Sequence, residues 1–171
     1  KFNFGNLPYV DFAYENYPNA VFDLASSNVK SYPLSSIEVD PKHLDMHPAN
    51  MHKILNRQLA SIYKVEENRV AVTIGCTHAL FIASTLFDFI YSESPGFEPL
   101  WQTPKALGTN TSFIERENVD GRFVFNLEKI KESTLETNSA LIITNPHNPS
   151  GTLLSEDELF ELSSILKEKD V

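Results

Sequence analysis

A chain of 171 residues is long enough for one domain with a real core, since folding at this size buries about two thirds of the surface that the unfolded chain exposes. Hydrophobic residues at 42% and charged residues at 22% match soluble globular proteins, and no apolar run reaches membrane-spanning length. The formal charge of −9, from 14 Lys+Arg against 23 Asp+Glu spread along the chain, argues against nucleic acid or an anionic membrane as partner, and the single cysteine, Cys76, excludes an internal disulfide.

The start at Lys1 shows neither the basic nor the apolar part of a signal peptide, so the cytoplasm is the expected compartment. Both ends read as cut: Lys1 is not a methionine, and Val171 directly follows a helix-like segment where a further strand is expected. Residues 1–40, rich in aromatics, Pro, Asn and Ser without periodicity, predict an extended arm and loops. From Asn50 to Tyr63 the spacing of Ile54, Leu55, Leu59 and Ile62 predicts a helix with one buried stripe. The β-branched run Arg69 to Ile74 predicts a strand, Gly75 a break, and the apolar stretch Thr77 to Phe87 a buried helix. Short strands are expected at Phe89 to Tyr91, Ser112 to Ile114 and Ala140 to Thr144, with a short mixed segment between Arg122 and Glu136. The last helix begins at Ser155, an N-cap with Glu158 three residues on, and carries the stripe Leu159, Leu162, Ile165 and Leu166. Strands alternating with helices predict an α/β domain around a mainly parallel sheet with flanking helices.

In such a sheet ligands gather at the carboxyl ends of the strands. Gly75, Cys76 and Thr77 fall between a strand and a helix, where a glycine lets a ligand approach, the helix start offers N–H groups and the Thr hydroxyl adds a donor. That is the chemistry of a phosphate seat, though a plain turn uses the same residue types. The run Asn145-Pro146-His147-Asn148-Pro149-Ser150-Gly151 is harder to read as an ordinary turn, because each Pro removes a donor and restricts the residue before it. A cis bond at Asn148-Pro149 is one means of holding such a shape, and it would aim the Asn148 amide across the strand ends.

The stretch ALIITNPHNPSG resembles the Asn-Pro-x-Asn-Pro-Thr/Ser-Gly signature of class I and II aminotransferases, within the fold-type I pyridoxal-phosphate family. RVAVTIGCTHALF resembles that family's strand, phosphate loop and helix, SPGF its Pro-x-aromatic loop, and HPANMHKILNRQLASIY its Tyr-Pro segment and following helix. The similarity runs from about Asp23 to Val171 with the motifs in the family's order. It implies an N-terminal arm and substrate-loop segment over 1–45 and part of the cofactor-binding large domain over 46–171, in an enzyme binding pyridoxal 5′-phosphate.

Residue by residue, the resemblance implies that Gly75, Cys76 and Thr77 hold the cofactor phosphate, that Phe97 stacks on the pyridine ring, and that Asn148 donates to the cofactor's phenolic oxygen. Phe97 is equally readable as a core aromatic, as Trp101 and Phe87 are. Asn28 falls where the family carries a substrate-facing loop. Partners implied are an amino acid, a 2-oxo acid and a second copy of the chain. His47 departs from the family's tyrosine at that position, a common glycine just after it is absent, and the link from Leu80 to Pro95 is shorter than usual.

No catalytic residue is assigned. The family's Schiff-base lysine, its acidic partner and its substrate-binding arginine all follow the Asn-Pro motif, and Lys64, Lys105, Lys167 and Lys169 stand in the wrong segments or on a polar face. The chain alone is therefore expected to be inactive and, with a sheet edge exposed, to associate. No metal is expected: Pro41 and Pro48 interrupt any helix that would align His43, His47 and His52. Cys76 reads as a small residue beside the phosphate, not a nucleophile. A pyridoxal-phosphate lyase or decarboxylase shares every motif quoted. A non-catalytic ligand-binding or assembly domain of aminotransferase type is the remaining alternative, although no basic helix-turn-helix precedes Asp23.

Overall fold

A computed structural model describes Gly5, residues 7–22, Leu24, residues 32–38, Asp40, Lys42 and residues 51–171. These fall into two compact units, one formed by Lys1–Glu15 with Gly75–Val171 and the other by Asn16–Ile74. Among the described residues no helix is long and apolar enough to cross a membrane.

Part of the segment expected to be an extended arm is helical. Helix α1 spans Pro8–Asn16, with Pro8 at the first position, where its missing N–H costs nothing. The unit Asn16–Ile74 contains α2 (Met51–Tyr63) and short 3-10 turns at Tyr17–Asn19, Leu34–Ser36 and Glu67–Arg69. The α2 stripe has the expected spacing but not the expected burial: Ile54, Leu55 and Ile62 are exposed and Ala60 alone in the helix is buried. Burial needs a facing surface, and among the described residues of this unit there is no sheet to provide one. The run Arg69 to Ile74 is not a strand. It leaves the 3-10 turn as irregular chain, because β-branched residues without a ladder partner have no pleated surface to fit.

The larger unit begins with α3 (Gly75–Ser84), in which only Leu80 and Ser84 are buried and Phe81 and Ile82 stay exposed, so the expected buried helix is covered on one side only. Strand β1 (Phe89–Ser94), α4 (Pro99–Leu107), β2 (Asn110–Val119), β3 (Arg122–Phe125), α5 (Leu127–Glu132), β4 (Ser139–Ile142) and α6 (Glu156–Glu168) follow. The sheet order is β3-β2-β1-β4; β1 pairs in parallel with β2 and with β4, and β2 pairs antiparallel with β3 through the turn Asp120-Gly121. A mainly parallel sheet with flanking helices is thus the architecture.

Central β1 is buried on both faces. Tyr91 joins Ile114, Phe125, Ile130, Leu154, Leu162 and Ile165 in the core under α5 and α6. Side chains alternate across a strand, so Ile90 and Ser92 face the other way, and the Ser92 hydroxyl donates to Leu100 O of α4 at 3.0 Å. Helix α6 starts with the capping box expected: Ser155 Oγ accepts from Glu158 N, and Glu158 returns a carboxylate oxygen to Ser155 N at 2.7 Å. That N–H, together with Ser155 Oγ and Arg122, holds the Glu158 carboxyl below its ordinary value.

Candidate active site at the carboxyl edge of the sheet

The helices tell which end of the sheet each loop occupies. Thr109, just ahead of β2, donates its hydroxyl to Ser84 O at 3.2 Å, so the last turns of α3 and α4 meet at the amino edge of the parallel strands. The two helices pack along each other, so both start at the opposite edge. Gly75, Cys76 and Thr77, the first turn of α3, therefore lie at the carboxyl edge, where β1 runs into Pro95–Phe97 and β4 into Asn145–Gly151. A direct bond joins the latter two loops: His147 Nε2 lies 2.7 Å from Pro95 O. A carbonyl only accepts, so this ring nitrogen carries the proton.

Gly75 has φ +75°, a left-handed conformation that a side chain strains, and Cys76 and Thr77 are exposed behind it. Amide groups of a first turn have no partner inside the helix, and the macrodipole favours an anion there. Phe97 is half-buried and Asn148 is exposed. Asn28 lies outside the described residues, as do His43 and His47.

The Asn-Pro loop is held from several sides. Asn145-Pro146 and Asn148-Pro149 are both cis, as is Ser94-Pro95. Asn145 clamps the loop's return: its Oδ1 accepts from Leu154 N at 2.9 Å and its Nδ2 donates to Leu154 O. His147 is 1% exposed, with Nδ1 2.7 Å from Ser150 Oγ, and its backbone N–H donates to Thr152 O at 2.8 Å. Both asparagines are exposed, and the Asn145 side chain is tied to Leu154.

Beneath this loop sits a network absent from the sequence reading. Glu93, near the end of β1, and Arg116, on β2, form an ion pair whose side chains are both 0% exposed. Arg116 Nε and Nη2 donate to Glu93 Oε2 at 2.8 and 2.7 Å, its other N–H groups reach Phe123 O and Thr144 O, and its guanidinium lies 4.4 Å from the Phe125 ring centroid. Glu93 Oε1 accepts from Thr144 N at 2.8 Å and from the Thr144 hydroxyl. Burying two charges is tolerable only when their remaining hydrogen-bonding capacity is met, as it is here. Glu93 also shapes the other loop: a Cβ at Gly96 would lie 2.6 Å from Glu93 O and 2.9 Å from Glu93 Cγ, so only glycine fits beside Phe97. The available sequence signal was a pair of opposite charges in two strands, YSES and FIERE, which means nothing until the register aligns Glu93 with Ile114 and so brings it beside Arg116.

Known proteins bear out the resemblance. A family model for aminotransferase class I and II matches residues 8–171. An aspartate aminotransferase of Sulfurisphaera tokodaii is 29% identical over 119 residues, which is 66% of this chain and 30% of that enzyme. A cystathionine beta-lyase of Corynebacterium glutamicum is 30% identical over 76 residues, 44% of this chain and 19% of its own length. The crystal structure of a PLP-dependent aminotransferase from Streptococcus suis superposes with a TM-score of 0.80 at 21% identity, over 98% of this chain and 49% of that one. The chain thus spans about half the length of that structure and less of the curated relatives. With the signature, the parallel sheet and the ordered loops in agreement, this chain belongs to the class I and II aminotransferase family.

Proposed function

We propose that residues 1–171 are the N-terminal part of a pyridoxal-phosphate-dependent aminotransferase that moves an amino group between an amino acid and a 2-oxo acid. What supports the reading above all is the topology: α3 ends beside the amino end of β2 and packs on α4, so its first turn runs toward the edge where the loops after β1 and β4 are joined. When bound, pyridoxal 5′-phosphate supplies the electron sink for chemistry at the substrate's α-carbon.

The residues present fit that group. The backbone amides of Gly75, Cys76 and Thr77 and the Thr77 hydroxyl hold the phosphate dianion, aided by the α3 dipole. Phe97 would lie against the ring, next to Gly96, where a side chain would clash with Glu93. Asn148 donates its side-chain N–H to the phenolic oxygen, favouring the ionised phenol. Asn28 belongs to the substrate side. We assign no lysine of residues 1–171 to the reaction, and the chain alone is inactive. The complete enzyme works as a homodimer in the cytoplasm.

Two measurements test this. Pyridoxamine 5′-phosphate, which cannot condense with lysines, should bind the 171-residue chain saturably by fluorescence titration, and Asn148→Ala should weaken it; no binding, or an unchanged affinity in the variant, removes the site. Glutamate formation from 2-oxoglutarate and an amino donor by the chain alone would overturn the inactivity. A lyase of the same fold is the second reading, favoured by the similarity to the cystathionine beta-lyase, and the two share every residue assigned above.

A further inference from the structure

The paired backbones of β1 and β4 part after Ser92 and Ile142, and beyond that point a side chain takes over the ladder. Thr144 N donates to Glu93 Oε1 at 2.8 Å instead of to a strand. The Thr144 hydroxyl donates to the same oxygen and, with its lone pair, accepts the backbone N–H of Asn148 at 2.8 Å. One hydroxyl therefore stands between a buried, fully bonded ion pair and the backbone of exposed Asn148.

We propose that Thr144 is a positioning residue for the candidate site, its hydroxyl passing the fixed position of the Glu93–Arg116 pair to the backbone of Asn148. This rests on the reading that Asn148 faces the cofactor's phenolic oxygen. The Glu93 carboxylate cannot shift without breaking its bonds to Arg116, whose own donors are spread over Phe123 and Thr144. Fixing the carboxylate fixes the hydroxyl, because its proton has one acceptor and its lone pair one donor. Asn145 and His147 anchor the flanks of the loop through other partners, Leu154 and Pro95, so they do not substitute for this bond. A valine at 144 keeps the shape and loses both bonds; a serine keeps both.

Amide exchange at Asn148 and titration with pyridoxamine 5′-phosphate, run on the 171-residue chain, decide the matter together. In Thr144→Val the Asn148 amide should exchange about tenfold faster, the worth of one hydrogen bond, and affinity should fall by about threefold to tenfold. Thr144→Ser should behave as wild type in both. In the Asn148→Ala background Thr144→Val should cost no further affinity, since a residue acting through Asn148 has nothing left to act on. Unchanged Asn148 exchange in Thr144→Val overturns the proposal whatever the ligand does. So do accelerated exchange with unchanged affinity, and an additive loss in the double variant. If Asn148→Ala itself leaves affinity untouched, the reading of the site fails, and this inference with it.

Discussion

The two walls of the candidate site are built on different principles. On the Asn148 side the visible residue is exposed above buried groups: Glu93 and Arg116 with no exposed side chain, His147 at 1%, each with its polar atoms engaged. On the α3 side Gly75, Cys76 and Thr77 are all exposed, and the helix buries nothing before Leu80. A side-chain amide that must meet one oxygen from one direction needs a rigid support, which a buried network provides. A phosphate is served by backbone N–H groups whose directions the helix already sets, so little else is required. Substitutions on the first wall should therefore change stability, and those on the second should change binding alone.

Arg116→Ala gives the largest effect. It strands the Glu93 carboxylate in the core, and breaking a buried pair from one side costs about 3–5 kcal/mol, read as a lower denaturant midpoint. A loss below about 1 kcal/mol would mean that water reaches the pair and that the wall is not rigid. His147→Ala ranks second, with about 2–3 kcal/mol expected from a buried ring, an unpaired Pro95 carbonyl and a lost Ser150 contact. It also unties the Phe97 loop from the Asn148 loop, so affinity for pyridoxamine 5′-phosphate should fall along with stability.

Glu93 and Arg116 were the residues least legible in the sequence. The Asn-Pro run announced itself because proline restricts its predecessor locally, and the Ser155–Glu158 capping box because both its bonds close within one turn. Glu93 and Arg116 are 23 residues apart, and their pairing exists only once β1 and β2 are in register. The same limit explains what was misread. The spacing of α2 specified a face without specifying a partner, and the β-branched run before Gly75 had strand propensity and no neighbour to pair with. Local chemistry was readable; whatever depended on a distant partner was not.

Ser155→Ala separates the loop from the helix that follows it. Losing the cap should cost about 1 kcal/mol with no change in cofactor affinity, because α6 begins beyond the clamp at Leu154. The acid limb of the stability curve should stay nearly unchanged in Ser155→Ala, because alanine keeps the backbone N–H at 155, and should flatten in Glu158→Gln. The Glu158 carboxyl is held below its ordinary value chiefly by the Ser155 N–H, so its contribution is full above the unfolded-state value and is lost as pH falls through the depressed one. Glu158→Gln keeping the wild-type slope on the acid limb would show that this carboxyl is not its source.

Thr77→Val should move stability least and yet be the sharper probe of the second wall. The side chain is exposed in the first turn of α3, where surface replacements usually stay within about 0.5 kcal/mol, and valine keeps its shape. What disappears is one hydroxyl donor to a dianion. Affinity for pyridoxamine 5′-phosphate should drop by about tenfold, as expected for one hydrogen bond to a charged group. Pyridoxamine without its phosphate should bind the variant and the wild type equally, since it has nothing for Thr77 to hold. If both ligands lose affinity alike, Thr77 acts on the fold of the helix start and the phosphate belongs elsewhere; if only the phosphorylated one does, the exposed wall is a seat for charge, and the contrast with the buried wall stands.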